Sequence, residues 1–196
     1  MPRPPAYILA GGQSSRFGQD KARATLDGRP LIQRIAQVVR QWGDEPTVVA
    51  DVAGKYDDLQ LRTIADRRPG LGPLTGLEAA LLDLTERLAG PWLLLLSCDL
   101  VELDSAWLDA LLEAHCDGAV AIAYRPDRWQ PLLALYHASL VPEVSARLAR
   151  QDRSMQSLLD AVETVEVPLP EDWPSTLQVN TPQDLDRLRL RNGSTW

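Results

Sequence analysis

A glycine-rich segment that carries hydroxyl groups and two cations follows the first apolar run of the chain. Leu9-Ala10-Gly11-Gly12 leads into Ser14, Ser15, Arg16 and Lys21. Glycine lets the backbone approach a ligand closely and present its N–H groups to phosphate oxygens, and the side chains add donors and positive charge. The G-G-x5-G spacing matches neither the Walker A loop nor the dinucleotide fingerprint. The segment predicts a phosphate-binding loop, with a plain tight turn as the alternative.

An aspartate follows the most apolar run of the chain. Residues 92–98 have the continuously apolar character of a central strand that is covered on both faces of a parallel sheet, and Asp99 comes next. A carboxylate at that end of a strand faces the ligand crevice, where Mg²⁺ is held by one or two carboxylates, phosphate oxygens and waters. The alternative role, capping the next helix, suits Asp104 and Ser105 better. Asp99 is therefore the predicted metal ligand.

A third candidate segment covers residues 66–76. Three glycines and two prolines within residues 69–76 predict a rigid loop with exposed N–H groups that leads into the start of a helix. Asp66 stands at the beginning of this loop. A surface turn without a ligand is the alternative.

Alternating strands and helices must position these segments. Apolar spacing predicts strands at 6–9, 47–50, 61–65, 92–98, 119–124, 132–136 and 176–179, and helices over 31–42, 77–88, 103–112, 140–148 and 155–162, with a last helix from Thr181-Pro182. The alternation predicts an α/β sandwich with a mostly parallel sheet. Ligands bind beyond the carboxyl ends of such strands, where residues 10–21, 66–76 and 98–102 are expected.

Length and charge exclude several classes of protein. The 196 residues suit one domain, 1–196, whose last six residues form a flexible tail, and the net charge is −7. The first 40 residues carry +5, which leaves −12 for the remainder. Such an acidic body disfavours nucleic acid as a partner, and a local basic segment fits a small anion better. No apolar run is long enough for a membrane span, so a soluble cytoplasmic protein is expected.

Lysine, cysteine and histidine are scarce. Lys21 and Lys55 are the only lysines against 18 arginines, and we place Lys55 in a surface loop where its rarity reflects composition alone. A lysine can reach a single phosphate as a compact charge, a role that suits Lys21. The two cysteines, Cys98 and Cys116, have no zinc or disulfide spacing.

Four short motifs together resemble the molybdenum cofactor guanylyltransferases of the nucleoside triphosphate transferase superfamily. They are LAGGQSSRFGQDK, GPLTG, Cys98-Asp99 and Asn180-Thr181-Pro182, and the resemblance extends from Ile8 to about Leu188. It implies a Rossmann-like three-layer sandwich of the nucleotide-diphospho-sugar transferase type. It also implies Mg²⁺-dependent transfer of GMP from GTP to the terminal phosphate of molybdopterin.

The resemblance also implies roles for single residues. On the nucleotide side they are Leu9, Ala10, Gly11 and Gly12 as nucleotide contacts, Arg16 and Lys21 on the triphosphate, Asp66 near the base or ribose, Asp99 on Mg²⁺ and Asn180 near the metal and phosphates. On the pterin side they are Gln130, Pro131, Arg153 and Ser154.

Three positions depart from the family pattern. Phe17 replaces Met or Leu, and Asp51 stands where some members have an asparagine that contacts the nucleotide. Val101 stands where many members have proline after the Cys-Asp pair, so the loop after the metal ligand is expected to differ in shape.

Alternative functions remain within the same fold. Gly12 after Leu9-Ala10-Gly11 favours a purine nucleotide, whereas related cytidylyl enzymes tend to have LAAG. A cytidylyltransferase, another nucleotidyltransferase on a phosphorylated small molecule, and a non-catalytic nucleotide-binding relative stay open. The expected partners are GTP and molybdopterin, other cofactor-biosynthesis proteins and recipient molybdoenzymes, with the chain a monomer or weak oligomer.

Overall fold

The computed structural model of the protein describes residues 2–11, 20–174 and 177–193. Its strands are β1 (Ala6–Leu9), β2 (Thr25–Leu26), β3 (Arg29–Pro30), β4 (Thr47–Ala50), β5 (Thr63–Ala65), β6 (Trp92–Ser97), β7 (Ala121–Tyr124), β8 (Leu133–His137) and β9 (Thr164–Val167). Its α-helices are α1 (Leu31–Trp42), α2 (Pro73–Glu86), α3 (Ser105–Glu113), α4 (Val141–Ala149), α5 (Met155–Ala161) and α6 (Pro182–Gly193).

Seven of these strands form one sheet in the order β5-β4-β1-β6-β8-β7-β9. Every neighbouring pair is parallel except the two pairs that include β8, which is antiparallel to β6 and to β7. Six strands therefore point the same way. The predicted α/β class with a mostly parallel sheet is confirmed.

Helices cover both faces of the sheet. Leu94 and Leu96 of β6 face the layer that contains α1 and α3. Leu93 and Leu95 of the same strand face the layer that contains α2, α4 and α5. Successive side chains of a strand point to opposite faces, so a strand buried on both sides must be apolar at every position. This arrangement explains the run in β6 and confirms the three-layer sandwich.

The helices begin and end where their sequences indicate. The buried side chains of α1 recur at helical spacing, and Gly43 ends the helix with a φ of 105°. Before α6 the amide of Asp184 donates to Thr181 Oγ1 at 3.2 Å, and Asp184 Oδ2 accepts from the amide of Thr181 at 2.8 Å. This reciprocal pair caps the helix at Thr181, where the sequence predicts the last helix to begin.

Three predicted boundaries differ from the structure. The strand predicted at 176–179 is wrong over its described residues, 177–179: Gln178 forms an isolated bridge to Leu100, and the last strand of the sheet is β9. β9 pairs on one side only, so its sequence lacks the apolar continuity of a central strand. Helix α2 ends at Glu86, and Leu88 lies beyond it with a φ of 51° and 90% exposure. Helix α6 extends to Gly193, three residues into the predicted tail.

Within the described ranges, none of the helices combines the length and the apolar composition that a membrane span requires.

Candidate active site

The carboxyl edge of the parallel strands brings the predicted segments together. The amide of Ala10 donates to Val49 O at 2.9 Å, and the amide of Cys98 donates to Leu9 O at 3.1 Å. The segments that follow β1, β4 and β6 therefore lie side by side. Among the described residues, a Cβ on Gly11 would meet no atom closer than 3.8 Å, so packing against them does not require glycine there. Glycine at this position fits a close approach by a ligand instead.

Lys21 and Asp99 form an ion pair across this edge. Lys21 Nζ lies 2.5 Å from Asp99 Oδ2, and the side chains are only 15% and 13% exposed. The two residues are 78 positions apart in the chain. Lys21 begins a short 3-10 turn after the glycine-rich segment, whereas Asp99 follows β6. The structure thus joins the predicted phosphate cation and the predicted metal ligand in one place.

The other oxygen of Asp99 fits a metal ligand. Asp99 Oδ1 is buried and has no hydrogen-bond partner among the described residues. A buried acceptor without a partner costs free energy unless a ligand or ion satisfies it. Those residues contain no cluster of three or more histidine, cysteine or acidic side chains for a metal. A single carboxylate suits an ion that takes its other ligands from phosphates and water, as Mg²⁺ does, and the role of Asp99 as its ligand stays a prediction.

Asp20, directly before Lys21, is held by several neighbours. Its carboxylate accepts from the amide of Ala22 at 3.0 Å and from the hydroxyl of Tyr56 at 2.9 Å. Lys55 Nζ lies 3.5 Å from Asp20 and 2.8 Å from Asp51. The hydrogen bond from Lys55 is the main cause of a lowered pKa at Asp51. Lys55 thus lies in the loop between β4 and β5, as predicted, and its ammonium contacts the carboxylates of both Asp20 and Asp51.

Asp66 shapes the loop before α2. Its amide donates to Ala50 O at 2.6 Å, which places it at the carboxyl edge beside β4. Its carboxylate accepts from the amide of Arg68 at 2.8 Å and from Thr75 Oγ1 at 2.6 Å. Both oxygens thus stabilise the loop and the first turn of α2. A role toward the base or ribose stays a prediction.

Close packing joins the start of α2 to the end of β1. A Cβ on Gly76 would lie 2.9 Å from Leu9 Cδ2 and 3.1 Å from Leu9 Cδ1. Only a residue without a side chain allows this approach at the present position of Leu9. The glycine of the GPLTG motif therefore sets the distance between α2 and the strand that leads into the glycine-rich segment.

A backbone clasp connects the Asp99 loop to the segment before α6. The amide of Val101 donates to Leu177 O and the amide of Val179 donates to Asp99 O, both at 3.0 Å. Asn180, directly after Val179, consequently lies beside the Asp99 backbone. Proline at position 101 could not donate the first of these bonds. Val101 therefore makes a hydrogen bond that proline at this position could not make, and the expected difference in loop shape stays a prediction.

The two segments assigned to the pterin side also meet at the carboxyl edge. Gln130-Pro131 precedes β8, whose first residues pair with the end of β6. Arg153-Ser154 precedes α5, and Ser154 caps that helix by accepting from the amide of Ser157 at 3.1 Å. The side chain of Gln156 bonds to both the amide and the carbonyl of Trp129, at 3.1 and 2.8 Å. These bonds tie α5 to the residue before Gln130.

A buried arginine supports the loop before α5. The side chain of Arg147 is 9% exposed, and its guanidinium bonds to Glu143 at 2.7 Å and to Asp152 at 2.6 Å. Asp152 also accepts from the amide of Ser154 at 3.2 Å. Charged groups this buried are expected only where they are paired. Arg147 therefore fixes the backbone that carries Arg153 and Ser154.

Part of the predicted site lies outside the described residues. Gly12, Ser14, Ser15, Arg16 and Phe17 belong to this part. Sequence reasoning in turn missed Tyr56, Lys55 and Arg147. For Tyr56 and Lys55, the only sequence signal was that an aromatic residue stands beside one of the two lysines in an otherwise polar segment.

The chain is similar to proteins of one family. Residues 6–166 match the family model described as MobA-like NTP transferase domain. A probable molybdenum cofactor guanylyltransferase of Opitutus terrae is 33% identical, with 94% of each chain covered. Another, from Deinococcus radiodurans, is 40% identical over 82% of this chain and 81% of its own length. The crystal structure of molybdopterin-guanine dinucleotide biosynthesis protein A from Archaeoglobus fulgidus has the same fold, with a TM-score of 0.80 at 22% identity over 97% of this chain and 99% of that one.

Proposed function

The chain belongs to the family of MobA-like NTP transferase domains, and on this premise we propose that it transfers GMP from GTP to the terminal phosphate of molybdopterin. The products are the guanine dinucleotide form of the cofactor and pyrophosphate. The observation that carries the proposal is the Lys21–Asp99 pair at the carboxyl edge, with Asp99 Oδ1 left without a partner among the described residues.

The proposed chemistry is a displacement at the α-phosphorus of GTP. An oxygen of the acceptor phosphate attacks, a new P–O bond forms, and the bond from the α-phosphorus to the α,β-bridging oxygen breaks. Pyrophosphate leaves with that electron pair. A phosphate monoester has its second pKa near ~6 and is mostly dianionic at pH 7, so the attack needs no general base. His115 and His137 both lie against Trp92 at the opposite edge of the sheet, which agrees with this view.

Lys21 and the backbone of the first loop supply the charge complement of the triphosphate. In this proposal the Lys21 ammonium exchanges Asp99 for phosphate oxygens when GTP binds, and Arg16 acts with it. Leu9, Ala10, Gly11 and Gly12 line the nucleotide, and Asp66 lies near its base or ribose. Positioning two anions and neutralising their charge is a sufficient catalytic strategy for phosphoryl transfer.

Asp99 holds Mg²⁺ in this proposal, and Asn180 lies close enough in the fold to assist. The ion, when bound, neutralises charge on the phosphate oxygens and orients them. Gln130, Pro131, Arg153 and Ser154 face the acceptor. Their assignment is supported by the hydrogen bonds that join α5 to Trp129 at the same edge of the sheet.

Asp99→Ala and Asp99→Asn test the proposal directly. Pyrophosphate release and dinucleotide formation from GTP and molybdopterin are measured with and without Mg²⁺. We expect wild-type activity to require Mg²⁺ and both variants to lose at least about 10²-fold in kcat, because a preorganised charge at the reacting phosphate is worth that much. Full activity of Asp99→Ala with Mg²⁺, or a trapped nucleotidyl-enzyme, would contradict the mechanism.

Nucleotide choice is tested separately. Titrations with MgGTP and MgCTP, followed by the rise in melting temperature, compare the two ligands for the folded protein. We expect the larger shift with MgGTP. Tighter binding of MgCTP would favour the cytidylyltransferase alternative, and binding without turnover would favour a non-catalytic relative.

The cellular setting follows from these substrates. We propose that the protein works in the cytoplasm as a monomer or weak oligomer, and that it receives the pterin from other cofactor-biosynthesis proteins and passes the product to recipient molybdoenzymes. Sedimentation at several protein concentrations tests the oligomeric state, and a stable large assembly would overturn that part.

A further inference from the structure

The hydroxyl of Tyr56 links the two residues that flank the glycine-rich segment. The side chain of Tyr56 is fully buried. Its hydroxyl donates to Asp20 Oδ2 at 2.9 Å and also lies 3.4 Å from Ala10 O. Ala10 precedes the segment in the chain and Asp20 ends it. One side chain thus contacts both sides of the segment that is assigned to phosphate binding.

The carboxylate of Asp20 is held from three directions. It caps the 3-10 turn through the amide of Ala22, receives the Tyr56 hydroxyl from the core, and has Lys55 at 3.5 Å and Arg23 at 3.8 Å on its outer side. Burial, followed by the hydrogen bond to Asp20, raises the pKa of Tyr56 well above its usual value, so the hydroxyl remains a donor. Asp20 is therefore a fixed point in the fold.

Lys21 follows Asp20 directly, so its backbone position depends on this fixed point. A lysine that exchanges a carboxylate for a phosphate moves its flexible side chain, and the accuracy of that exchange depends on where its Cα is held. We propose that Tyr56, acting through Asp20, is a positioning residue for Lys21 in nucleotide binding. The inference rests on the proposed function.

Lys55 adds a charge role to the same cluster. Asp20, Asp51 and Asp99 place three carboxylates along the edge that receives an anionic ligand. Lys55 contacts two of them, Asp51 at 2.8 Å and Asp20 at 3.5 Å. It neutralises part of the negative charge that a triphosphate otherwise meets there. The second lysine of the chain thereby serves the same site as the first.

Tyr56→Phe removes only the hydroxyl, and the chain offers a closely matched control. Tyr7 is also fully buried, and its hydroxyl donates to Asp83 Oδ2 at 2.8 Å, beside Arg62. Tyr7→Phe therefore deletes the same kind of bond on the α2 side of the sheet, away from Lys21. Melting temperature, the Kd for MgGTP, the KM for each substrate and kcat are measured for wild type and both variants.

We expect Tyr56→Phe to raise the Kd and KM for MgGTP about three- to tenfold while the acceptor KM changes less than twofold. The lost hydrogen bond to the Asp20 carboxylate leaves the backbone of Lys21 less firmly positioned. Tyr7→Phe is expected to lower the melting temperature by a similar amount and to leave both KM values unchanged. This split separates positioning from general destabilisation. Equal nucleotide parameters in the two variants would overturn the inference.

Asp20→Asn and Lys55→Gln complete the test. Asparagine keeps an acceptor for Tyr56 and for the cap, so we expect a smaller rise in the Kd for MgGTP than Tyr56→Phe gives. Lys55→Gln should weaken MgGTP binding most at low ionic strength, since salt screens the exposed carboxylates; an effect independent of salt would refute its charge role. If wild type itself neither binds MgGTP nor turns it over, the proposed function fails. If wild type binds MgGTP and turns it over, but Tyr56→Phe and Tyr7→Phe have equal nucleotide parameters, the inference fails and the proposed function stands.

Discussion

The amide of Val101 donates to the carbonyl oxygen of Leu177 at 3.0 Å, two residues after the carboxylate that is proposed to hold Mg²⁺. Together with the bond from Val179 to Asp99 O, it closes an antiparallel clasp around the bridge between Leu100 and Gln178. The clasp spans the Asp99 loop and the segment that leads into α6. The position of Asp99 therefore depends on its own loop and on the segment that leads into α6.

Val101→Pro should open one half of this clasp. Proline has no N–H, so the bond to Leu177 is lost, and Leu100 is restricted to extended conformations. We expect the free energy of unfolding to fall by about 1 kcal/mol. We also expect the Mg²⁺ concentration for half-maximal activity to rise, because the loop that carries Asp99 is less firmly held. Urea unfolding and an Mg²⁺ titration measure the two effects.

Val101→Ala is the control for that substitution. It removes side-chain contacts and keeps the amide that bonds to Leu177. An equal Mg²⁺ requirement in the alanine and proline variants would show that the clasp does not position Asp99.

Substitution of Lys21 should be poorly tolerated even when the charge is kept. Arginine has a planar fork with fixed donor directions, whereas an ammonium reaches a single oxygen as a compact charge. We expect Lys21→Arg to lose about 10²-fold in kcat/KM, and Lys21→Met at least as much. Steady-state kinetics with MgGTP check this, and urea unfolding shows whether the variants are folded. Retention of half the wild-type kcat/KM by Lys21→Met would exclude the proposed role.

The sequence predicted the positions of Lys21 and Asp99 but not their contact. Glycine spacing indicated the first loop, and the apolar run of β6 indicated that Asp99 stands at a strand end. Their ion pair arises only when β1 and β6 become neighbours in the sheet. Helices were predicted because burial on one face imposes a period on their residues, and central strands because burial on both faces makes them continuously apolar. β9, which pairs on one side only, carries little of either signal.

Tyr56 shows the limit of the sequence for the site. A single tyrosine in a polar segment has no spacing that indicates whether its hydroxyl meets solvent, the backbone or a carboxylate. Its bond to Asp20 depends on how the segment after β4 folds back over the end of β1. The roles of Asn180, Gln130, Pro131, Arg153 and Ser154 came from the family resemblance, and for these residues the structure adds a shared location at the carboxyl edge.

Acidification should destabilise the protein through His137. Burial, followed by the charge of His115, lowers the pKa of His137 below 6.5. The amide of Ser139 donates to His137 Nδ1 at 3.2 Å, which requires that nitrogen to be unprotonated. The unfolded chain thus binds a proton more readily than the folded one. Stability is therefore fully present above about pH 6.5 and falls as the pH drops from that value through the folded pKa.

His137→Asn isolates this contribution. Asparagine still offers an acceptor to the amide of Ser139 but does not titrate. Urea midpoints between pH 5 and 7.5 should fall on acidification in the wild type, and the fall should be smaller in the variant. Identical slopes would show that His137 is not responsible.

The close contact between Gly76 and Leu9 predicts that Gly76→Ala destabilises the wild type but not a variant in which Leu9 is shortened. Alanine in a helix gains roughly 0.5–1 kcal/mol over glycine from propensity alone. Against this, a Cβ on Gly76 lies 2.9 Å from Leu9 Cδ2, and overpacking of this kind costs about 1–3 kcal/mol. We expect Gly76→Ala to lower the free energy of unfolding by about 1 kcal/mol in the wild type. In a Leu9→Val background the two clashing methyl positions are gone, so the same change should be neutral or stabilising. Urea unfolding of the four proteins of this cycle measures the coupling, and simple additivity would mean that Leu9 does not limit the approach of α2.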